Sequence, residues 1–269
     1  MSHKFLIPGC LLATVIFSSA PVLADEKLRA AVDDPARPAA EKQRDEYRNP
    51  YETLEFFGIE PDMTVVELAP GAGWYTEILG PYLGDQGRLI GAQVDLESDD
   101  TPAFYRDIVA AYEQRIADPE RFGTVEMIAF NPAKESKLAE PGSVDMVLTF
   151  RSVHGWKRDG VFEQVLQAAN EALKSGGVLG VVQHRLPEDR DDAEYTGYVK
   201  QNWVVAQAES SGFVLAESSA INANPADSAD HPEGVWSLPP SLRNVAQGDR
   251  EQQLEIGESD RMTLKFVKR

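Results

Sequence analysis

Apolar residues along this chain keep two alternating periods. Short runs at Val65 to Leu68, Arg88 to Val94, Val125 to Phe130, Ser143 to Phe150 and Val178 to Val182 are bounded by turn residues and predict largely buried strands. Between them apolar side chains return every third or fourth position. That spacing predicts helices over Tyr75–Leu79, Thr101–Ile116, Val161–Leu173 and Tyr198–Ser211, with Phe104, Ile108, Ala111 and Tyr112 as the packed stripe of the second. Phe213–Glu217 and Met262–Val267 add two strands, the last alternating as an antiparallel partner would. Strand and helix in repeated succession predict an α/β domain: a mostly parallel seven-stranded sheet with an antiparallel last strand and helices on both faces.

Ahead of the first strand, Tyr47, Tyr51, Leu54 and Phe57 fall at helical spacing, Pro50 opens a helix after Asn49, and Gly58 stops it. Arg44, Tyr47 and Arg48 on this helix pair are placed to reach a ligand at the sheet edge. Asp25 to Pro38 lacks an apolar period and reads as a loose arm or short surface helix. Residues 1–24 have a basic start at Lys4, an apolar stretch from Leu11 to Phe17, and Val22-Leu23-Ala24 before a cleavage point. This is the form of a signal peptide, so the expectation is export to the periplasm, a mature chain from Asp25, and one domain over 25–269 with a helical arm at 25–58. The apolar stretch is shorter than the about 20 residues a membrane span needs, so stable membrane insertion is not expected.

Composition narrows the partners. Forty-four acidic residues stand against 26 basic ones, a net charge of −18, which disfavours nucleic acid and anionic lipid and leaves small molecules. The one cysteine, Cys10, lies in the leader, so neither a disulfide nor a thiolate ligand is expected, and the scattered histidines suggest no metal site. The oligomeric state is not encoded in any pattern we find.

The chemistry centres on Thr64 to Gly80, TVVELAPGAGWYTEILG, a strand, a tight turn and a helix. Gly71 and Gly73 let the backbone approach a bound group, and Glu67 offers a carboxylate to a hydroxyl or an ammonium. A dinucleotide fingerprint fails at Trp74 and Thr76, so the corner suits a nucleoside without phosphates. The acidic-x-Gly-x-Gly-x-Gly spacing, here Glu67, Ala69, Gly71 and Gly73, resembles the first motif of class I S-adenosylmethionine-dependent methyltransferases, with alanine at the first glycine position. Leu173 to Gly177 before an apolar strand strengthens the likeness. Together with VLTFRSVHGW, LGVVQHR, INANPADSADHPEGVWSLPPSLR and GESDRMTLKFVK, the chain resembles a bacterial family of exported predicted methyltransferases, named from fold and motif, from about Arg44 onward.

The resemblance implies a Rossmann-like fold and S-adenosylmethionine as cofactor, placed by Glu67, Ala69, Gly71 and Gly73 and gripped at its ribose by Gln93 or Asp95. Asn131, a polar residue at the third strand's end, is a candidate for the adenine. Arg151, His154, His184 and Arg185 follow the carboxyl ends of central strands, where α/β sheets hold ligands, and are the candidates for proton removal and for holding an anionic group. Residues 218–261 exceed the about 12–15 residues of an ordinary structureless loop, so a lid is expected, with His231, Trp236 and Arg243 over a small-molecule substrate. Catalysis of methyl transfer is one reading. A non-catalytic exported binding protein on the same fold is the other, motivated by Ala69 and Gln93.

Overall fold

The computed structural model describes residues 20–84, 86–98, 101–134 and 137–269. Residues 1–19 of the expected signal peptide therefore lie outside the described residues. The strands are β1 (Thr64–Leu68), β2 (Arg88–Val94), β3 (Val125–Phe130), β4 (Val144–Phe150), β5 (Leu173–Leu186), β6 (Val199–Lys200), β7 (Phe213–Ser219) and β8 (Arg261–Lys268). The helices are α1 (Ala20–Asp33), α2 (Ala39–Lys42), α3 (Asp45–Arg48), α4 (Pro50–Phe57), α5 (Thr76–Leu83), α6 (Tyr105–Ile116), α7 (Pro119–Phe122), α8 (Val153–Arg158), α9 (Phe162–Ala172), α10 (Gln201–Ser210) and α11 (Arg250–Ile256).

Short, mostly apolar runs put β1 and β4 at the centre, where Val65, Val66, Val147 and Leu148 are fully buried. The sheet runs β3-β2-β1-β4-β5-β8-β7, with the two-residue β6 paired beside β5. β1 is parallel to both β2 and β4, while β8 is antiparallel to β5 and β7. This is the expected Rossmann-like arrangement, with a short extra strand. Because the chain leaves β1 toward β2 and later returns to the other side of β1 as β4, the loops after β1 and β4 part around one crevice.

Each face has its own core. One packs α9 and α10 through Val165, Leu166, Val204 and Ala208, and the other packs α1, α4 and α5 through Leu28, Leu54, Phe57, Ile78 and Leu79. Gly180 of β5 sets the second: a Cβ there would lie 2.9 Å from the Phe57 ring, so only glycine lets α4 settle on the sheet. That settling carries α3, with Arg44 just before it and Arg48 at its end, over the crevice.

The helix predicted after Asn49 is present, with Pro50 in its first turn and Gly58 closing it in the left-handed region at φ 78°. Elsewhere the structure corrects the expectation. The segment from Asp25 is no loose arm, because Leu28, Ala31 and Val32 of α1 are buried against α5 and α4. The packed face of α6 is Val109 and Tyr112, leaving Phe104 and Ala111 exposed, since Tyr112 fits the space above Gly91 of β2. The run after β4 is the helix α8 rather than an open loop. β5 begins at Leu173, its pairing with β4 shifting register between Val144 and Met146, which absorbs the Lys174–Gly177 turn into the strand.

Candidate ligand-binding site

A cavity of about 490 Å³ opens where β1 and β4 end, and it falls within the range of about 300–1,000 Å³ usual for small-molecule sites. Its floor is the turn Ala69 to Ala72 with Glu67, and its far wall is Phe150 to Ser152, His154 and His184. Arg44 and Arg48 close one side, and Val235, Trp236, Leu238, Pro239 and Pro240 of the β7–β8 insertion cover it. Both strand ends turn through a residue other than glycine in the left-handed region, Ala69 at φ 49° and Arg151 at φ 63°. Such conformations cost about 1–3 kcal/mol each and persist where the surroundings enforce them. The Ala69 amide donates to Ala92 and the Arg151 amide to Val182, which holds both bends.

The two glycines of the turn do different work. Gly71, at φ 61°, faces open space, since an added Cβ would meet nothing within 4 Å. Gly73, at φ 87°, faces the other way, and a Cβ there would lie 2.8 Å from Arg115 Cδ of α6. Gly71 makes the cradle, and Gly73 seats the turn on α6. Glu67 is 2% exposed, accepts from Thr76 Oγ1 at 2.6 Å, and lines the cavity. Burial pushes its pKa up to about 7, despite the lowering effects of the Thr76 bond, Arg115 and Arg151.

Across the cavity Glu258 is bridged by Arg44 Nε at 2.6 Å and by Arg48 Nε and Arg261 Nη1 at 3.2 Å each. Burial alone would raise its pKa, but the guanidiniums around it hold it at about 2. His154 and His184 stand with ring centroids 5.7 Å apart. Gln183 Nε2 lies 3.4 Å from His154 Nδ1, and Ser259 Oγ lies 2.5 Å from His184 Nδ1. Burial, against the Gln183 bond and with Arg151 adding to it, lowers His154 to about 4, and burial, with His154 and Arg151 beside it, lowers His184 well below its ordinary value. Both rings are therefore uncharged near neutral pH and act as hydrogen-bonding groups unless a bound anion restores their basicity.

The cavity thus brings together Glu67, Ala69, Gly71, Arg151, His154, His184 and Trp236 of the residues singled out by sequence. The others are placed elsewhere. Gln93, at the end of β2, donates from Nε2 to the Gly71 carbonyl at 2.6 Å and braces the turn from behind. Asp95 Oδ1 accepts from the Glu97 amide, its Oδ2 faces Lys134, and Asn131 Oδ1 accepts from the Ala133 amide as part of a turn. None of these three lines the cavity. Arg185 is turned from the crevice by strand alternation and forms a two-pronged pair with Asp260 at 2.8 and 2.9 Å. His231 is bound to buried Asp227 at 2.8 Å, beside the Tyr198 hydroxyl, and stiffens the insertion instead of covering substrate. Arg243 stacks over Trp236 at 5.1 Å and lines a second cavity of about 540 Å³, which shares His154 and Trp236 with the first.

Arg44 and Arg48 do reach the cavity, whereas Tyr47 packs beside Gly257, where a Cβ would meet its ring. Glu258 and Ser259 were missed. Their signal was the GESDR run just before β8, which a charged pattern at a strand entrance could have flagged. Among the described residues no group of three or more His, Cys, Asp or Glu is arranged to hold a metal, and no helix is long and apolar enough to cross a membrane.

No protein-family model matches the chain, and no curated protein matches it in sequence. Solved structures do share its architecture. A SAM-dependent methyltransferase from Aquifex aeolicus, 18% identical, covers 74% of this chain and 93% of its own, with a TM-score of 0.54. The [4+2]-cyclase SpnF, 12% identical, covers 93% and 94% with a TM-score of 0.58. An S-adenosylmethionine-dependent methyltransferase from Mesorhizobium loti, 12% identical, covers 81% and 97% with a TM-score of 0.51. At these identities the likeness fixes the fold, and the naming of one neighbour as a cyclase shows that one fold serves more than one reaction.

Proposed function

We propose that this chain is an S-adenosylmethionine-dependent methyltransferase acting on a small molecule, exported by the leader pattern in residues 1–24. The observation that carries the reading is the open Gly71 cradle beside the Glu67 carboxylate at the point where strand order reverses. An amino-acid tail suits the charges there: Glu67 for an ammonium, and Arg151, which is coupled electrostatically to Glu67, for a carboxylate. When bound, the cofactor supplies an electrophilic methyl group on a sulfonium.

The chain's own contribution is alignment and exclusion of water. In-line displacement gains most from holding the two reacting atoms at contact distance, and Trp236, Leu238, Pro239 and Pro240 cover that space with apolar surface. Uncharged His154 and His184 are placed to orient a nucleophile by hydrogen bonding.

A second reading, an exported binding protein without transfer chemistry, is favoured by one feature. The groups at the ends of β2 and β3 that would hold a nucleoside are bonded within the protein and outside the cavity. Calorimetry on the purified chain separates the two readings. The methyltransferase reading expects S-adenosylmethionine and S-adenosylhomocysteine each to bind one site, and absence of both at millimolar concentration favours the second. Amino-terminal sequencing of the secreted form should begin at Asp25, and an uncleaved Met1 would remove the export part.

A further inference from the structure

The arginine side of the cavity holds more positive charge than the protein itself answers. Arg48 is 1% exposed, yet its Nη1 and Nη2 have no hydrogen-bond partner, and the buried Arg44 Nη2 has none either. Glu258 takes only the Nε of each. Arg261, the third guanidinium on Glu258, has an acceptor at every nitrogen: its Nε donates to the Ser259 carbonyl, its Nη1 to Glu258 and its Nη2 to the Tyr47 carbonyl. Buried charged donors are rarely left unpaired, because desolvation is then uncompensated. The Trp74 ring lies 4.4 Å under the Arg48 guanidinium carbon, covering part of the group while its two end nitrogens stay unmet.

We propose that Arg44 and Arg48 form an oxyanion subsite, so that the small molecule taken by this cavity carries a carboxylate or phosphate group. The two residues are four apart on one helical turn and both line the cavity, and three of their nitrogens, shielded from solvent, have no partner within the protein. Planar guanidiniums presenting pairs of N–H groups match the two oxygens of a carboxylate or phosphate. Arg151, at the β4 end, lines the same cavity and adds to its positive wall, since it acts electrostatically on Arg48 and Glu258. Burial first, and then the neighbouring Arg151, Arg44 and Arg261, lower the Arg48 pKa, while the guanidiniums hold Glu258 low against its burial. Assigning the subsite to the methyl acceptor rests on the methyltransferase reading. The anion site itself does not.

Calorimetry with succinate and with inorganic phosphate, each added alone to the full chain, tests the subsite. At least one should bind at a single site, Arg48→Gln should weaken it 10-fold or more, and S-adenosylhomocysteine should bind beside it. Should Arg48→Gln fail to fold, Arg44→Gln, at a side chain 24% exposed, gives the same reading with a loss of about fivefold. Three outcomes overturn the proposal: neither probe binds at 20 mM, the variant that folds binds unchanged, or S-adenosylhomocysteine displaces the probe while 5′-methylthioadenosine, lacking the amino-acid carboxylate, does not. The last would assign these arginines to the cofactor's tail. Probe binding that depends on Arg48, without any binding of S-adenosylhomocysteine, keeps the anion site and removes the methyltransferase reading.

Discussion

On the flank of the crevice built by β1, β4 and α3, Arg48 has two buried nitrogens without an acceptor, Glu67 is a buried carboxylate lining the cavity, and Gly71 faces empty space. On the flank built by β2 and β3, Gln93 is bonded to the Gly71 carbonyl, Asp95 caps the turn behind it, and Asn131 closes its own turn. Both flanks lie at one edge of the same sheet and both carry polar residues, yet the first leaves guanidinium donors unmet and the second pairs its groups locally. Buried polar groups in a folded protein are normally paired, so an unpaired set marks where an external partner supplies the missing half. The first flank is built for recognition, and the second holds the recognition turn in shape.

The largest test of this division falls on Glu67. Replacing it with glutamine keeps the Thr76 bond but removes the charge, and a cationic ligand should bind about 10- to 100-fold more weakly, the usual worth of a hydrogen bond to a charged group. The pH dependence has a definite sign. With a folded pKa of about 7 against an ordinary 4.5, the folded state holds the Glu67 proton more tightly than the unfolded chain does. Its contribution to stability is complete below pH 4.5 and is lost as pH rises through 7. Glu67→Gln should therefore gain stability relative to the parent at pH 8, on the order of 3 kcal/mol, and nothing at pH 4. Denaturant unfolding at the two pH values checks this. Cation binding near neutral pH should also release a proton from the parent and none from the variant, seen as a dependence of binding heat on the buffer's ionisation enthalpy. Equal proton release from both would end the special role of this carboxylate.

Gln93 is the hinge between the flanks and comes next in size. Gln93→Ala leaves the Gly71 carbonyl without its donor, so the expected cost is about 1–2 kcal/mol of stability. Affinity for S-adenosylhomocysteine should fall by no more than about fivefold, as a looser turn implies. Tighter binding by the variant would break the comparison, because it would mean that Gln93 obstructs a ribose site on the second flank.

Much of this scaffold was legible in sequence, because strands buried on both faces show mostly apolar runs and the helix at Pro50 announces both its ends. The crevice followed from the same pattern, since ligands gather where strand order reverses. Side-chain assignments failed where one residue of phase decides. His184 faces the cavity and Arg185, one step along the strand, faces Asp260. The ion pair that shapes the arginine wall joins Arg48 to Glu258 across 210 positions, and no local period encodes such a contact. Asp227 lies only four residues before His231, but the segment between them is irregular rather than helical, so no periodic spacing announced that pair.

The smallest effects belong to Asp95 and Asn131, and their smallness is the point. Asp95 holds its turn through the Glu97 amide at 3.0 Å and faces Lys134 at 3.7 Å, a solvated pair of the kind worth about 0–1 kcal/mol. Asn131 accepts from the Ala133 amide at 3.0 Å in a surface turn. Alanine at either position should cost at most about 1 kcal/mol of stability. Calorimetric affinity for S-adenosylhomocysteine should stay within about twofold, because neither side chain lines the cavity. A 10-fold loss at either position with stability unchanged would show that a ligand extends over β2 and β3, and that groups satisfied in the free protein exchange their partners on binding. The two flanks would then differ only in how they wait for the ligand, with one left open and the other held shut by its own hydrogen bonds.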